Sequence, residues 1–180
     1  MTDTIRNDWT GSPWRVAVWG AALALLLLPW MAMQFTAEVD WSLGDFLLFG
    51  AMLLAACGVM ELGARMNGHL AYRAGIAVAA GTGFLLVWIN LAVGILGSEH
   101  NPANLMFVGV LLVPAIGALA ARFHARGMAW ALAATAAAQA ATAAIALALG
   151  YGYETLLVGV FIAAWTVSAL LFRWAALAQR

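Results

Sequence analysis

Three polar residues lie at equivalent places near the starts of apolar segments, where their side chains could attract a cation or a proton. Asp45, Asn104 and Glu154 each stand five residues before a glycine, in the segments DFLLFGAMLL, NLMFVGVLLV and ETLLVGVFIA. Helix capping is the alternative explanation, because Ser42 and Asp45 have the spacing of a capping box, and Asn101 followed by proline is typical of an N-cap. An acid near a helix N-terminus is also favoured by the helix dipole. The pattern predicts either an acidic mouth at one membrane face or three capped helices.

The densest polar cluster is the loop of residues 98–101, whose sequence is Ser-Glu-His-Asn. Histidine and carboxylate side chains are metal ligands, so His100 with Glu99 and Asp40 could hold a divalent ion. One histidine is a weak ligand set, and a solvated loop histidine is the simpler explanation, so no metal site is predicted. Adjacent Ser, Glu and His cannot form a catalytic triad, because triad members converge from separate segments. His100 is nevertheless the first residue that we expect in any site at this face.

Two amide side chains, Asn90 and Gln139, lie inside apolar segments. Such amides either hydrogen-bond neighbouring membrane helices together or line a solute path, where they offer both a donor and an acceptor. Both interpretations stay open at the level of the sequence. Trp88 and Trp165 lie at mid-membrane depth, where each indole N–H needs an acceptor, and Asn90 is the candidate acceptor for either of them.

The chain lacks the residue sets of common cofactors and enzyme classes. All eight basic residues are arginine, so no lysine can form the Schiff base of a retinal or pyridoxal cofactor. The three histidines lie outside the apolar segments, so they cannot ligate a haem within the membrane. Phosphate-binding glycine loops and the HExxH and GxSxG motifs are absent, and a formal net charge of zero gives no indication of nucleic-acid binding. We therefore predict a protein that is not an enzyme, has no cofactor and does not bind nucleic acid.

The elements that position these side chains must lie in lipid, because 66% of the 180 residues are hydrophobic and only 9% are charged. A soluble chain carries about 25% charged residues. Backbone polar groups in lipid need partners within the protein, and apolar runs of about twenty residues have the length of a spanning helix. The sequence predicts an all-α, polytopic membrane helix bundle with six transmembrane helices, at residues 15–34, 44–63, 73–97, 104–122, 128–149 and 155–175.

The arginines predict how these helices are oriented. All eight lie at the ends or loops of one side of the predicted bundle. The loops of the other side carry acidic residues and no arginine: Glu38, Asp40, Asp45, Glu99 and Glu154. Under the positive-inside rule the arginine side faces the cytoplasm, which makes both termini cytoplasmic. We expect residues 1–14 to be a cytoplasmic N-terminal segment and residues 15–180 to form a single six-helix transmembrane domain.

Three successive hairpins share one order of features, which is an arginine, an apolar helix, a loop with a polar residue, a second apolar helix and another arginine. The arginines that bound them are Arg15 and Arg65, Arg73 and Arg122, and Arg126 and Arg173. Because the hairpins share one orientation, they would form a parallel repeat rather than the inverted repeat of many transporters. Any apolar hairpin that obeys the positive-inside rule looks similar, so the repeat of three helical hairpins is a hypothesis.

The segment WINLAVGILGSEHNPANLMFVGVL, from Trp88 to Leu111, resembles an uncharacterised family of small multi-pass bacterial inner-membrane proteins. The similarity extends over most of the chain. It implies a bacterial inner (plasma) membrane as the location, and it implies no activity, ligand or site residue.

Two functions are consistent with these features. In the first, the protein binds or transports a small solute or cation from the outer face, along Asp40, Asp45, Asn90, Glu99, His100, Asn104, Gln139 and Glu154. In the alternative, it is an accessory or structural subunit, a homo-oligomer or part of a larger membrane complex, which packs through the alanine-rich segment at residues 131–148. A polar cavity lined by Asn90 and Gln139 would favour the first function. Amides satisfied by neighbouring helices, together with an exposed small-residue face, would favour the second.

Overall fold

The computed structural model of the chain describes residues 13–179. These residues form six long α-helices and no strand. The helices are α1 Pro13–Ala32, α2 Leu43–Met66, α3 Leu70–Ala92, α4 Met106–Ala120, α5 Ala125–Ala148 and α6 Glu154–Leu177. A 3-10 turn at Pro102–Leu105 precedes α4. The predicted N-terminal segment 1–14 lies outside the described residues except for Pro13 and Trp14, with which α1 begins.

All six helices are long and apolar enough to cross a membrane, so the chain is a multi-pass membrane protein. The fourth span reaches that length together with the 3-10 turn, over the 19 residues of Pro102–Ala120. A helix of about twenty residues is about 30 Å long, which matches the hydrocarbon core of a bilayer. The predicted all-α class with six spanning helices is confirmed.

The third span ends earlier than its hydrophobicity predicts. Helix α3 ends at Ala92, whereas the predicted span continued to residue 97. Gly94 and Gly97 have φ angles of +74° and +72°, a left-handed conformation that ends a helix and that side chains with a Cβ rarely adopt. Ile95 and Leu96, which lie between these glycines, are almost fully buried. Apolar residues can therefore belong to a buried loop, and hydrophobicity alone does not distinguish that loop from a helix.

The chain divides into two compact units, Met1–Glu61 and Leu62–Arg180. In the first unit an ion pair joins the start of α1 to α2, because the guanidinium of Arg15 contacts the carboxylate of Glu61, with Nε 2.8 Å from Oε2. Further along the same helices, a Cβ atom added at Gly50 would lie 3.8 Å from the side chain of Leu26. The two helices of the first unit are thus in contact at two levels.

In the second unit α6 packs against both α5 and α3, and α5 packs against α4. Buried residues in α5 and α6 alternate in spacings of three and four. The stripe on α5 contains Ala125, Met128, Leu132, Thr135, Gln139, Thr142 and Ala146, and the stripe on α6 contains Val158, Phe161, Trp165, Ser168, Phe172 and Ala175. This mean spacing of 3.5 residues keeps one stripe against its partner, as in left-handed coiled coils.

Helices α4 and α5 approach each other so closely that two of their contacts require glycine. A Cβ atom at Gly117 would lie 2.5 Å from the Cβ of Ala131, and one at Gly127 would lie 2.5 Å from the Cβ of Ala121. Small residues let helix backbones approach in this way, and the resulting van der Waals contact is a main source of stability in lipid.

The interface between α3 and α6 combines a polar and an aromatic contact. The hydroxyl of Ser168 donates to the backbone carbonyl of Gly75 at 2.8 Å. The ring of Phe172 meets the ring of Tyr72 edge-on, with centroids 5.0 Å apart. The second and third predicted hairpins thus differ in their packing, since α5 and α6 pack on each other whereas α3 packs on α6 and α4 packs on α5. The hairpin repeat stays a hypothesis.

Candidate functional site

The loop between α3 and α4 is held in place by the side chain of Asn104, which is only 7% exposed. Its Oδ1 accepts from the backbone N–H of Leu96 at 2.9 Å. Its Nδ2 donates to the backbone carbonyl of Ser98 at 2.7 Å and lies 3.4 Å from that of Leu96. Buried loop backbone has no helix partners, so a side chain must satisfy it. The sequence predicts Asn104 at an acidic mouth, but both polar atoms of its side-chain amide form hydrogen bonds to the backbone of this loop.

Asn101 caps the 3-10 turn and links two loops. Its Oδ1 accepts from the N–H of Ala103 at 3.0 Å, and Pro102 follows it, so the predicted N-cap is confirmed. Its Nδ2 donates to the carbonyl of Leu96 at 2.8 Å and to the hydroxyl of Tyr151, in the α5–α6 loop, at 2.6 Å. Sequence analysis missed Tyr151, because no local spacing relates it to residues fifty positions earlier. We call this region, made by the α3–α4 loop, the α5–α6 loop and Asn90, the loop end.

Asn90 lies in the last turns of α3, and one atom of its side chain has no partner. Its Nδ2 donates to the backbone carbonyl of Asn104 at 3.3 Å. Its Oδ1 is shielded from solvent and accepts no hydrogen bond, and it is the only buried side-chain polar atom in residues 13–179 without a partner. A buried acceptor that is left unsatisfied costs about 1–3 kcal/mol, so its presence needs an explanation.

Gln139 lies in the interior of the second unit and is fully buried. Its Oε1 accepts from the indole Nε1 of Trp165 at 3.4 Å, and its Nε2 lies 3.5 Å from the hydroxyl oxygen of Thr142. The hydroxyl of Thr142 donates to the backbone carbonyl of Gln139 at 2.7 Å. The expectation that Asn90 is the acceptor for Trp88 or Trp165 is therefore wrong, because Gln139 accepts from Trp165 and Oδ1 of Asn90 accepts no hydrogen bond. The bond from Trp165 on α6 to Gln139 on α5 matches the interpretation that Gln139 hydrogen-bonds neighbouring helices together.

The predicted acidic residues are placed at helix starts and in loops. Oδ2 of Asp45 accepts from the N–H and the hydroxyl of Ser42 at 2.8 and 2.7 Å, which confirms the capping box of α2. Asp40 is exposed in the loop before that helix. Glu154 is the first residue of α6 and is partly exposed. Asp40 and Asp45 belong to the first unit, and Glu154 belongs to the second.

Glu99 and His100 form an exposed pair in the α3–α4 loop. Nδ1 of His100 lies 3.2 Å from Oε1 of Glu99, and the two side chains are 88% and 48% exposed, with His100 the more exposed. In the described part of the chain, no group of three or more His, Cys, Asp or Glu residues could hold a metal ion. The arrangement is that of a solvated loop pair.

Of the predicted path residues, the structure joins Asn90 to Asn104 and joins Glu99 to His100, whereas Gln139 belongs to a separate hydrogen-bond network. Chemically, the loop end offers one buried amide oxygen that can accept a hydrogen bond or bind a small cation. The chain matches no protein-family model, and it has no significant match among curated proteins or solved structures.

Proposed function

We propose that this membrane protein is not an enzyme and that it binds a small solute or cation at the loop end, through the side-chain oxygen of Asn90. The observation that carries the proposal is the buried Oδ1 of Asn90, which accepts no hydrogen bond. A small ligand with an N–H or O–H group, or a small cation, would supply the missing partner and remove the cost of the unsatisfied acceptor.

The contact with Asn104 supports the assignment of the unpartnered atom as an oxygen. A backbone carbonyl can only accept, so the Asn90 atom that lies 3.3 Å from the carbonyl of Asn104 is the amide nitrogen. The other amide atom of Asn90 is then an acceptor. This excludes an anion as the partner and favours a hydrogen-bond donor or a cation.

The charge distribution of the second unit favours a cation among these ligands. Glu99 and Glu154 are its only acidic residues, and both belong to the loops and helix start at the loop end. Its arginines within the described residues, Arg65, Arg73, Arg122, Arg126 and Arg173, lie at the opposite ends of the helices. A cluster of one sign of charge raises the local concentration of the opposite ion, so the acidic residues would attract a cation toward this face.

The packing inside the second unit supports binding of a ligand rather than its transport across the membrane. A path along Gln139 would have to break its contact with Trp165, and both residues are at most 1% exposed. Because the amide of Gln139 already has a partner, it supports a ligand that binds at the loop end and does not pass along Gln139. For the location, we infer from the arginines and the resemblance a bacterial inner membrane, with both termini in the cytoplasm and the loop end outside.

A second candidate function, that of an accessory subunit, is favoured by the outer face of α5. Its exposed small residues are Ala133, Ala134, Ala137, Ala140, Ala141, Ala144 and Ala148. A helix of a partner protein could approach this face as closely as α4 approaches α5 elsewhere. Ala137→Leu and Ala141→Leu would then reduce co-purification of a defined partner, whereas Val167→Leu on the exposed side of α6 would not.

The binding proposal is tested by thermal unfolding of the purified full-length protein in zwitterionic detergent. Ammonium chloride, sodium chloride and acetamide are compared at constant ionic strength, because they offer a charged donor, a bare cation and a neutral donor. We expect at least one of them to raise the unfolding temperature saturably in the wild type and not in Asn90→Leu. Thr166→Val, a polar-to-apolar change on an exposed face, should respond like the wild type. Equal responses of the wild type and Asn90→Leu to all three probes would refute the proposal.

A further inference from the structure

The turn between α4 and α5 contains an arginine in a conformation that usually requires glycine. Arg122 and Phe123 have φ angles of +46° and +59°. The N–H of Phe123 donates to the carbonyl of Ala118 at 3.1 Å, and the N–H of Arg122 donates to that of Leu119 at 3.0 Å. This pair of bonds is the Schellman motif, in which the left-handed residue is most often glycine. Arg122 occupies the glycine position.

The same chain uses glycine in the equivalent turn at the end of α5. The N–H of Tyr151 donates to the carbonyl of Ala146 at 2.9 Å, and the N–H of Gly150 donates to that of Leu147 at 3.0 Å. Gly150 is the left-handed residue there, with a φ of +90°. Glycine would therefore meet the backbone geometry at position 122 without strain, whereas arginine keeps a charged side chain there at the cost of a left-handed conformation.

Contacts from two sides fix the turn that carries Arg122. The hydroxyl of Tyr72, on α3, donates to the carbonyl of Phe123 at 2.7 Å, and Tyr72 is only 1% exposed. The start of α5 approaches the end of α4 so closely that a Cβ atom at Gly127 would lie 2.5 Å from the Cβ of Ala121. A left-handed residue persists where the surrounding structure determines it in this way. The position of Arg122 is thus set by the fold.

The surroundings of Arg122 are strongly basic. Five arginines of the second unit lie at the helix ends opposite the loop end: Arg65, Arg73, Arg122, Arg126 and Arg173. The two acidic residues of that unit, Glu99 and Glu154, lie at the loop end. Arg122 and Arg126 are exposed, and neither forms an ion pair within residues 13–179.

An apolar contact for lipid lies directly beside these charges. Trp130 follows Arg126 by one helical turn, so both side chains lie on the same face of α5, and Trp130 is 72% exposed. Tryptophan is enriched at the level of lipid headgroups, where its ring meets acyl chains and its N–H meets the polar region. An exposed tryptophan one turn after Arg126, with Arg122 in the turn before that helix, is therefore complementary to an acidic headgroup above acyl chains.

We propose that the α4–α5 turn is a binding site for the phosphate of an acidic phospholipid headgroup, with Arg122 and Arg126 as its ligands. Each guanidinium can donate two parallel hydrogen bonds to phosphate oxygens, and the phosphate supplies a negative charge complementary to Arg122 and Arg126. The acyl chains of the same lipid lie along the exposed face of α5 that carries Trp130. This site is independent of ligand binding at Asn90.

The test measures lipid binding to the purified full-length protein by native mass spectrometry, together with thermal unfolding in the same detergent. Phosphatidylglycerol is compared with phosphatidylcholine of identical acyl chains, and sodium phosphate serves as a headgroup without a lipid. The variants are Arg122→Gly, Arg126→Gln and, as a control at the same end of the second unit, Arg173→Gln. Arg122→Gly is chosen because it removes the charge while keeping the left-handed turn.

We expect the wild type to bind phosphatidylglycerol more tightly than phosphatidylcholine. Arg122→Gly and Arg126→Gln should each weaken phosphatidylglycerol binding roughly five-fold, since one arginine near an anionic lipid surface contributes about 1 kcal/mol. Arg122→Gly should unfold at the same or a higher temperature than the wild type in phosphatidylcholine, and Arg173→Gln should bind like the wild type. Wild-type affinity in Arg122→Gly, an equal loss in Arg173→Gln, or stabilisation by sodium phosphate alone would each overturn the site.

Discussion

The indole nitrogen of Trp165 donates to the side-chain oxygen of Gln139 at 3.4 Å, and this bond joins α5 to α6 inside the second unit. Both side chains are at most 1% exposed, so neither group can exchange its partner for water. An unpaired polar group in such a place costs more than the bond itself contributes. The contact therefore constrains which residues can stand at positions 139 and 165.

Replacing Gln139 by leucine should destabilise the protein by about 1–3 kcal/mol, because it leaves the indole N–H of Trp165 buried without an acceptor. Trp165→Phe removes the same bond and also leaves the oxygen of Gln139 unpaired. The double variant should lose less than the sum of the two single losses, by about 0.6 kcal/mol and at most about 1.7 kcal/mol, the average and maximum for polar contacts between membrane helices. Equilibrium unfolding in mixed detergent micelles measures these differences. Strict additivity would show that the bond does not contribute.

Gly117→Ala should loosen the contact between α4 and α5, because the added Cβ would lie 2.5 Å from the Cβ of Ala131. Overpacking of this kind typically costs about 1–3 kcal/mol. Gly109→Ala is the matched control on the same helix, since its added Cβ would have no atom within 4 Å beyond its chain neighbours and the backbone of its own helix. Thermal unfolding of the two variants should show a clear loss for Gly117→Ala and no loss for Gly109→Ala. Equal stability of the two would contradict the close approach.

Asn104→Ala should release the loop between α3 and α4, because it removes the side chain that bonds the backbone of Leu96 and Ser98. We expect a loss of about 1–3 kcal/mol for the unsatisfied loop amide of Leu96. Hydrogen exchange at residues 94–100 should rise at least ten-fold, while exchange in the interior of α6 should change little. Glu99→Gln, an exposed change in the same loop, should leave exchange at the wild-type rate.

Glu61→Gln should weaken the contact between α1 and α2, because it removes the charge that Arg15 contacts. The two side chains are 15% and 23% exposed, so solvent screens the pair only partly, and we expect a loss of roughly 1–3 kcal/mol. Removing both charges, as in Arg15→Gln with Glu61→Gln, should cost less than the sum of the single losses. A double-mutant cycle by urea or detergent unfolding measures this coupling, and additive losses would show that the pair is not coupled.

The helices were predictable from the sequence because their signal is local. Apolar runs of spanning length, the Ser42 to Asp45 capping box and the Asn101–Pro102 cap all depend on residues a few positions apart, and the structure confirms each. The predicted end of the third span was wrong for a physical reason. Ile95 and Leu96 are apolar because they are buried in a loop, and the glycines at 94 and 97 allow that loop to turn.

The partners of the polar side chains were not predictable, because those contacts join residues far apart in the chain. Gln139 meets Trp165 across 26 positions, and Asn101 meets Tyr151 across 50. Residue type and spacing indicated only that each amide needs a partner. Helix packing decides which amide oxygen has a hydrogen-bond donor. The structure, and not the sequence, therefore distinguishes Gln139, which has one, from Asn90, which has none.

The central claim, that the Oδ1 of Asn90 is a ligand acceptor, is tested most directly by the NMR signal of that amide. Protein labelled with ¹³C and ¹⁵N in asparagine carries five such side chains, and the signal missing from Asn90→Leu identifies Asn90. On titration with ammonium chloride against sodium chloride and acetamide, we predict a saturable shift of the Asn90 carbonyl carbon with at least one probe. The amides of Asn101 and Asn104, which the fold engages, should stay unchanged. An Asn90 carbonyl that does not move with any probe, or that moves only together with the other two, would contradict the claim.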